Sequence, residues 1–297
     1  MVITQATAKE ILSKSQPLIA LALMVIAMSF ASDAFLTPEN GWNILRQISV
    51  NLCLSIGMTL IILSGGIDLS CGAILALAGA VAAGVLKHGI ELPMFDMLLQ
   101  FTLAGAIVAG VVVGLAAGWF NGFVITKFRL PPFVATLGMF SIARGLTMLW
   151  TGGFPVTGLG ESFGYLGTGV FLGVPMPVWI TAGLVAVFVV VTRKTRFGRY
   201  LYAVGGNERA AVLTGLRVKR IKVWVYTLGG GLAGVAGLLV TARLDSAQPN
   251  AGLGYELDSI AAVVIGGTSL SGGRGSVMGT VLGCLIIGVL NNGLFLL

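Results

Sequence analysis

Long apolar runs, separated by short polar interruptions, cover this chain almost from end to end. A membrane crossing by a helix needs about 20 predominantly apolar residues, and runs of this length and continuity predict such helices. The spans read as Pro17–Phe30, Trp42–Leu63, Ala73–Leu86, about Met97–Val124, Phe133–Trp150, Val178–Val191, Val223–Ala242 and Ser276 to about Leu294. The first has the short apolar core of a signal peptide, but further spans follow at once, so it is read as a retained helix. Ser259–Ile265 is too short to cross alone and is read as a half-helix or re-entrant piece ending at Gly266-Gly267. The short alternating strands of a transmembrane barrel are not present in the pattern. The expected fold is therefore all-α, a polytopic membrane bundle of about 9–10 transmembrane helices with broken or re-entrant segments. It forms one domain over residues 1–297, and because the chain is still apolar at Leu297, a final helix is expected beyond it.

The polar positions give the bundle its direction. Thr192–Lys222 carries Arg193, Lys194, Arg196, Arg199, Arg209, Arg217, Lys219, Arg220 and Lys222 against a single acid, Glu208. A basic loop between apolar spans belongs on the cytoplasmic side. Lys9, Lys14, Lys127, Arg129 and Arg274 then also fall inside, while Asp33, Glu39, Glu91, Asp96, Glu161, Asp245, Glu256 and Asp258 fall outside. The Gly- and Pro-rich outside stretch Thr151–Pro177 has room for a short interfacial helix. Within the basic loop, Gly205-Gly206-Asn207 precedes the helix-forming run Glu208-Arg209-Ala210-Ala211-Val212-Leu213, and Gly215 follows it. Asn207 suits the N-cap, Glu208 the first turn and Gly215 the stop. The loop thus presents a short capped helix to the cytoplasm, a docking surface rather than a bare connector.

Two helix breaks share the pattern G-G-x-x-L-S-x-G: Gly65–Gly72 and Gly266–Gly273. Paired glycines expose backbone amides and carbonyls, which at membrane depth are tolerated only against protein or a water-filled cavity. Such paired interruptions point to a translocation site or gate; tight turns near the inner surface are the alternative. The polar lining expected of such a path is Ser64, Asp68, Ser70, Thr268, Ser269 and Ser271. Asp68 equally suits capping of the helix that follows it. Arg144, the other intramembrane charge, has three open readings: pairing with an acid, lining a polar cavity, or snorkelling outward. Asn51, Asn121, Asn291 and Asn292 suit helix–helix hydrogen bonds.

Composition narrows the chemistry. Mean hydropathy is +0.98, and 44 glycines in 297 residues suit closely packed membrane helices. The net charge of +7 gathers beside apolar spans, with no aromatic-interleaved basic domain, so it speaks for topology and anionic lipid headgroups and against nucleic acid. Cys53, Cys71 and Cys284 lack pairing or metal-ligand spacing, and His88 is the single histidine. An intramembrane enzyme is disfavoured by the lack of a His dyad, acid pair or nucleophile arrangement. No G-x-x-x-x-G-K-[ST] phosphate loop occurs, so the chain has no nucleotide motif of its own.

Several stretches are long enough to identify a family: Gly57–Ser70, Thr195–Tyr200 with Gly205–Glu208, Ser246-Ala247-Gln248-Pro249, and Gly254–Leu270. With these the chain resembles the inner-membrane permease subunits of ribose-type, or carbohydrate-uptake-2, ABC importers, from roughly Leu18 to its end. The resemblance implies a transporter subunit rather than an enzyme, moving a monosaccharide such as ribose or a related sugar inward. It implies a second permease copy, a periplasmic sugar-binding protein, and a separate ABC ATPase subunit that holds ATP and Mg. It also implies that Gly205, Gly206, Asn207, Glu208, Arg209, Ala210, Ala211 and Gly215 form the coupling element seated in a cleft of that ATPase, with Ala210 and Ala211 as a small seating face. A secondary transporter and an amino-acid relative among the ABC permeases are the competing readings.

Overall fold

The computed structural model of the chain describes residues 2–92 and 97–297. Its elements run α1 (Val2–Ala31), α2 (Pro38–Leu63), α3 (Cys71–Lys87), β1 (Ile90–Leu92), β2 (Met97–Leu99), α4 (Leu103–Phe128), α5 (Pro132–Thr151), β3 (Val156–Thr157), α6 (Glu161–Thr168), β4 (Val170–Phe171), β5 (Val174–Pro175), α7 (Met176–Lys194), α8 (Arg196–Gly206), α9 (Glu208–Leu213), α10 (Val218–Leu244), β6 (Ser246–Ala247), α11 (Tyr255–Ile265) and α12 (Val277–Leu296). Six of these, α2, α4, α5, α7, α10 and α12, are long and apolar enough to cross a membrane; Gln16–Ala31 and α3 are shorter apolar helices. The expected helical membrane bundle is therefore found, with α11 as the expected half-helix. The three strand pairs, β1–β2, β3–β6 and β4–β5, are all antiparallel and two or three residues long. They tie together the connections at the outer end of the bundle.

Boundaries moved where local chemistry outweighed hydropathy. The fourth span begins at Leu103 rather than Met97, because Met97–Leu99 pairs with Ile90–Leu92 and Thr102 caps the helix by accepting a hydrogen bond from Gly105 N. The seventh begins at Val218, so Lys219, Arg220 and Lys222 are helical. The half-helix starts at Tyr255 rather than Ser259, with Glu256 and Asp258 at the positive end of its dipole. The short interfacial helix expected in Thr151–Pro177 is α6. Asp96, expected outside, lies outside the described residues.

Two helices form the centre. From Ile48 to Leu63 every residue of α2 is buried, and α10 is buried along most of its length. By contrast α4, α5 and α7 turn most of their apolar side chains outward, as lipid-facing helices do. Between α4 and α10 the contact is backbone on backbone. Gly110, Gly114, Gly118 and Gly122 recur every fourth residue along one face of α4. A Cβ on Gly118 would overlap the Tyr226 carbonyl oxygen and lie 3.0 Å from Gly230 Cα; one on Gly114 would lie 3.0 Å from Gly234 Cα. Polar pairs complete the inner packing: Thr59 and Thr280 hydroxyls at 2.6 Å join α2 to α12, and Asn40 and Asn292 exchange amide hydrogen bonds of 2.9 Å.

The tenth helix ends outside, but the chain after it does not stay there. After the two residues of β6 the chain turns back into the bundle through residues 249–254, and Gly252 packs on Gly72, in the first turn of α3 and at the opposite end from Lys87. Glu256, expected in an outside loop, accordingly lies beside Gly72. Irregular backbone at that depth must find internal partners. Arg144 supplies them: its Nη1 donates to Pro249 O at 2.6 Å and Ala251 O at 3.0 Å, and its guanidinium lies 5.7 Å from the Phe140 ring centroid. Of the three readings open for Arg144, pairing with an acid is met only as proximity: Glu256 lies near enough to act on its charge without a direct ion pair among the described residues, and the hydrogen bonds go to backbone carbonyls.

The α4–α10 contact carries a direct test. Gly118→Ala is expected to destabilise the chain by about 1–3 kcal/mol through overpacking, lowering its melting temperature in detergent. Gly138→Ala on exposed α5, where a Cβ meets nothing within 4 Å, is expected to be neutral or stabilising by up to about 1 kcal/mol. Equal melting temperatures for the two variants would show that the close approach is not there.

Candidate functional site

The expected capped helix in the basic loop is α9. Asn207 Oδ1 accepts from Ala210 N at 3.0 Å, Glu208 begins the first turn, and Gly215, at φ +82°, follows the Thr214 cap. Asn207, Glu208, Arg209 and Ala210 are exposed, as is Gly215. Ala211 is not: it turns inward and packs in the main core. The small face expected from Ala210 and Ala211 together is therefore divided. The outward surface is made instead by Arg209, Ala210, Val212 and Leu213, the last 88% exposed. Glu208 pairs with Lys222 at 2.7 Å, which ties the start of α9 to the start of α10.

What precedes α9 is a second amphipathic helix, α8, that the hydropathy pattern did not isolate. Thr195 caps it by accepting from Gly198 N at 3.3 Å, and Phe197, Leu201 and Val204 repeat at helical spacing toward the core. Asn207 separates α8 from α9 with extended backbone at φ −158°, yet its N–H still donates to Ala203 O. The two helices thus join at one residue.

The inner face of α8 meets both helix breaks. Gly205 lies so close to the end of α2 that a Cβ there would overlap the Leu63 carbonyl oxygen and sit 2.6 Å from Gly273 N. Gly273 N itself donates to Leu63 O at 3.1 Å, joining the second break to the first. One turn earlier on α8, Tyr202 donates its hydroxyl to Gly275 O at 2.9 Å. Burial raises the Tyr202 phenol above its ordinary value, with Arg193 pulling the other way, so it remains a donor at neutral pH. Gly206 is exposed and open, with nothing within 4 Å of a Cβ placed on it. The residues that meet are Gly272-Gly273 against Leu63 and Gly65, not the two matching Gly-Gly pairs of the repeated pattern.

Around the first break the polar side chains are turned into the protein. Asp68 Oδ1 accepts from Ser70 N at 2.8 Å and from the Ser70 hydroxyl, and Asn121 Nδ2 donates to Ser70 Oγ at 2.9 Å. Leu69 N donates to Thr136 Oγ1 at 3.2 Å, and a Cβ on Gly66 would overlap the Tyr226 hydroxyl. Ser64 donates to Ile61 O at 2.8 Å. Ser64, Asp68, Ser70 and Thr268 are buried in this chain; Ser269 is half-buried and Ser271 exposed. Asp68 Oδ2 and Thr268 Oγ1 have no hydrogen-bond partner among the described residues.

At the outer end lies a polar cavity of about 560 Å³ between α2, α10 and α12, lined by Asn40, Asn43, Arg46, Gln47, Arg243 and Asn291 among others. Seven of its ten lining residues carry an amide or a guanidinium group, Phe295 and Leu296 add apolar wall, and Arg46 Nε has no partner among the described residues. Apart from Asn291, these residues drew no attention in the sequence, where they read as the polar end of a span.

A family model described as "Branched-chain amino acid transport system / permease component" matches residues 40–297. The ribose import permease of Bacillus subtilis (strain 168) is 48% identical over 289 residues, covering 97% of this chain and 86% of that one. The ribose import permease of Escherichia coli (strain K12) is 49% identical over 290 residues, or 96% and 87%. The D-allose transport system permease of the same strain is 38% identical over 275 residues, or 93% and 81%. No solved structure matches the chain. On the family model and on relatives this similar over nearly its whole length, the chain belongs to the ribose-type permeases of ABC importers, within the broader family of transport-system permease components.

Proposed function

We propose that this chain imports a monosaccharide, ribose or a related sugar, received from a periplasmic binding protein, with a second permease copy completing the path. A separate ATPase subunit, which holds ATP and Mg, drives it. The observation that carries the reading is the placement of α8. This helix runs from the exposed α9 directly onto both helix breaks, through Gly205 on Leu63 and Tyr202 on Gly275. Force applied to α9 from the cytoplasm reaches the end of α2 and the loop between α11 and α12 through a rigid element eleven residues long. The outer cavity supports the solute class: amides and guanidinium groups are the donors and acceptors a hydroxyl-rich solute needs, and its volume admits a monosaccharide.

On this reading Gly205 is the junction, Gly206 leads from it to the joint at Asn207, and Glu208, Arg209, Ala210 and Leu213 meet the ATPase, with Gly215 ending the element. Ala211 anchors α9 to its own chain. Ser64, Asp68 and Ser70 hold the first break in shape, and Thr268, Ser269 and Ser271 belong to the mobile side of the gate. Which monosaccharide is carried is then set jointly with the binding protein.

Two experiments test the transmission. Leu213→Asp, reconstituted with ATPase and binding protein in lipid, is expected to lose about tenfold in sugar-stimulated ATP hydrolysis, as for one buried interface anchor, while retaining its melting temperature. Undiminished stimulation would remove α9 from the interface. Gly205→Ala is expected to destabilise the chain by about 1–3 kcal/mol and to depress uptake at matched expression. Gly206→Ala is expected to leave both close to wild type. Equal behaviour of the two would show that α8 does not bear on the breaks.

A further inference from the structure

On the membrane-facing side of the same cytoplasmic end, a groove of about 520 Å³ runs between α4 and α10, lined by Trp119, Lys219, Arg220, Val223, Trp224 and Thr227. Its two ends differ in chemistry. Lys219 and Arg220 lie in the first turn of α10, at the cytoplasmic edge. Trp224 follows Arg220 by four residues, so it lies one turn deeper on the same face. Trp119 faces it from α4, 50% exposed against 59% for Trp224. Behind Trp119 an aromatic row continues toward the cytoplasm: Trp119 stacks on Phe123 at 5.4 Å, Phe128 meets Phe123 edge-on at 6.5 Å, and Lys127 Nζ lies 5.4 Å from the Phe123 centroid.

We propose that this groove binds an anionic phospholipid of the cytoplasmic leaflet, its phosphate between Lys219 and Arg220 and an acyl chain along Trp119, Val223 and Trp224. Charge complementarity argues for that occupant. Neither Lys219 nor Arg220 pairs with an acid among the described residues, and Glu208, the one acid of the loop, is held by Lys222. A cation pair above two exposed indoles matches the phosphate-over-hydrocarbon profile of a lipid at the inner interface. A soluble anion would use the cations and leave the indoles uncovered. Lys219 also lines a neighbouring cavity of about 540 Å³ with Arg129, Glu208 and Lys222, so the phosphate would sit beside the base of α9.

Tryptophan quenching by brominated lipid tests the site without any transport assay. The full chain is placed in phosphatidylcholine vesicles containing, at one minor mole fraction, either dibrominated phosphatidylglycerol or dibrominated phosphatidylcholine. Phosphatidylglycerol is expected to quench more, the excess approaching the share of two of the five tryptophans. That excess is expected to vanish in W119F/W224F, to fall in K219Q/R220Q, and to persist when inorganic phosphate is added. Equal quenching by the two lipids overturns the proposal, and this comparison needs no variant. An excess that survives in W119F/W224F or in K219Q/R220Q places the lipid elsewhere and overturns it too. Loss of the excess in inorganic phosphate would assign the cations to a soluble anion instead.

Discussion

A buried backbone carbonyl cannot turn to water, and the end of α2, where Leu63 is fully buried, shows how this chain meets that constraint. Leu63 O accepts from Gly273 N, and Gly205 lies against the same oxygen because it has no side chain to hold it away. Leaving a buried polar group unpaired costs about 1–3 kcal/mol, so the hydrogen bond to this oxygen matters. Three separate segments therefore meet at one carbonyl: the end of α2, the loop after α11 and the end of α8. The end of α8 meets this carbonyl by close packing alone, and the Tyr202 hydroxyl, bonded to Gly275 O, is its polar tie to the second break.

The same constraint explains Arg144. A charged side chain within a span is costly, yet the turns through Pro249 and Ala251 leave carbonyls that need donors, and the guanidinium offers several in a planar fork. One expensive residue thereby satisfies backbone that could not otherwise enter the bundle, and Gly252 can pack on Gly72. Close approach of this kind recurs in the α4–α10 contact. Glycine is abundant here because backbone surfaces, rather than large side chains, form the principal contacts.

The spans were legible in the sequence because length and apolarity register strongly whatever the tertiary context. The cap at Asn207 and the stop at Gly215 were legible for a different reason: they are local chemistry, complete within a few residues. By contrast α8 was hidden, since Arg196, Gly198, Arg199, Gly205 and Gly206 give it the composition of a loop, and only the spacing of Phe197, Leu201 and Val204 marks it. The inward turn of Ala211 depends on how α9 lies against the core, which no pattern of six residues states. Likewise the repeat of Gly65-Gly66 in Gly266-Gly267 announced two breaks but not their contact, which Gly272-Gly273 makes. The descent of residues 246–254 had no periodicity to reveal it, because its own carbonyl oxygens are met by one distant arginine.

Among these contacts the junction of α8 with both breaks decides whether the chain is a transducer or only a bundle with a docking helix. Hydrogen exchange followed by mass spectrometry, with and without the ATPase bound in its ATP state, measures it most directly. The account predicts that exchange in residues 63–70 and 268–275 changes together with that in 207–215 when the ATPase engages. A change confined to 207–215, with both breaks exchanging as in the free chain, would contradict it.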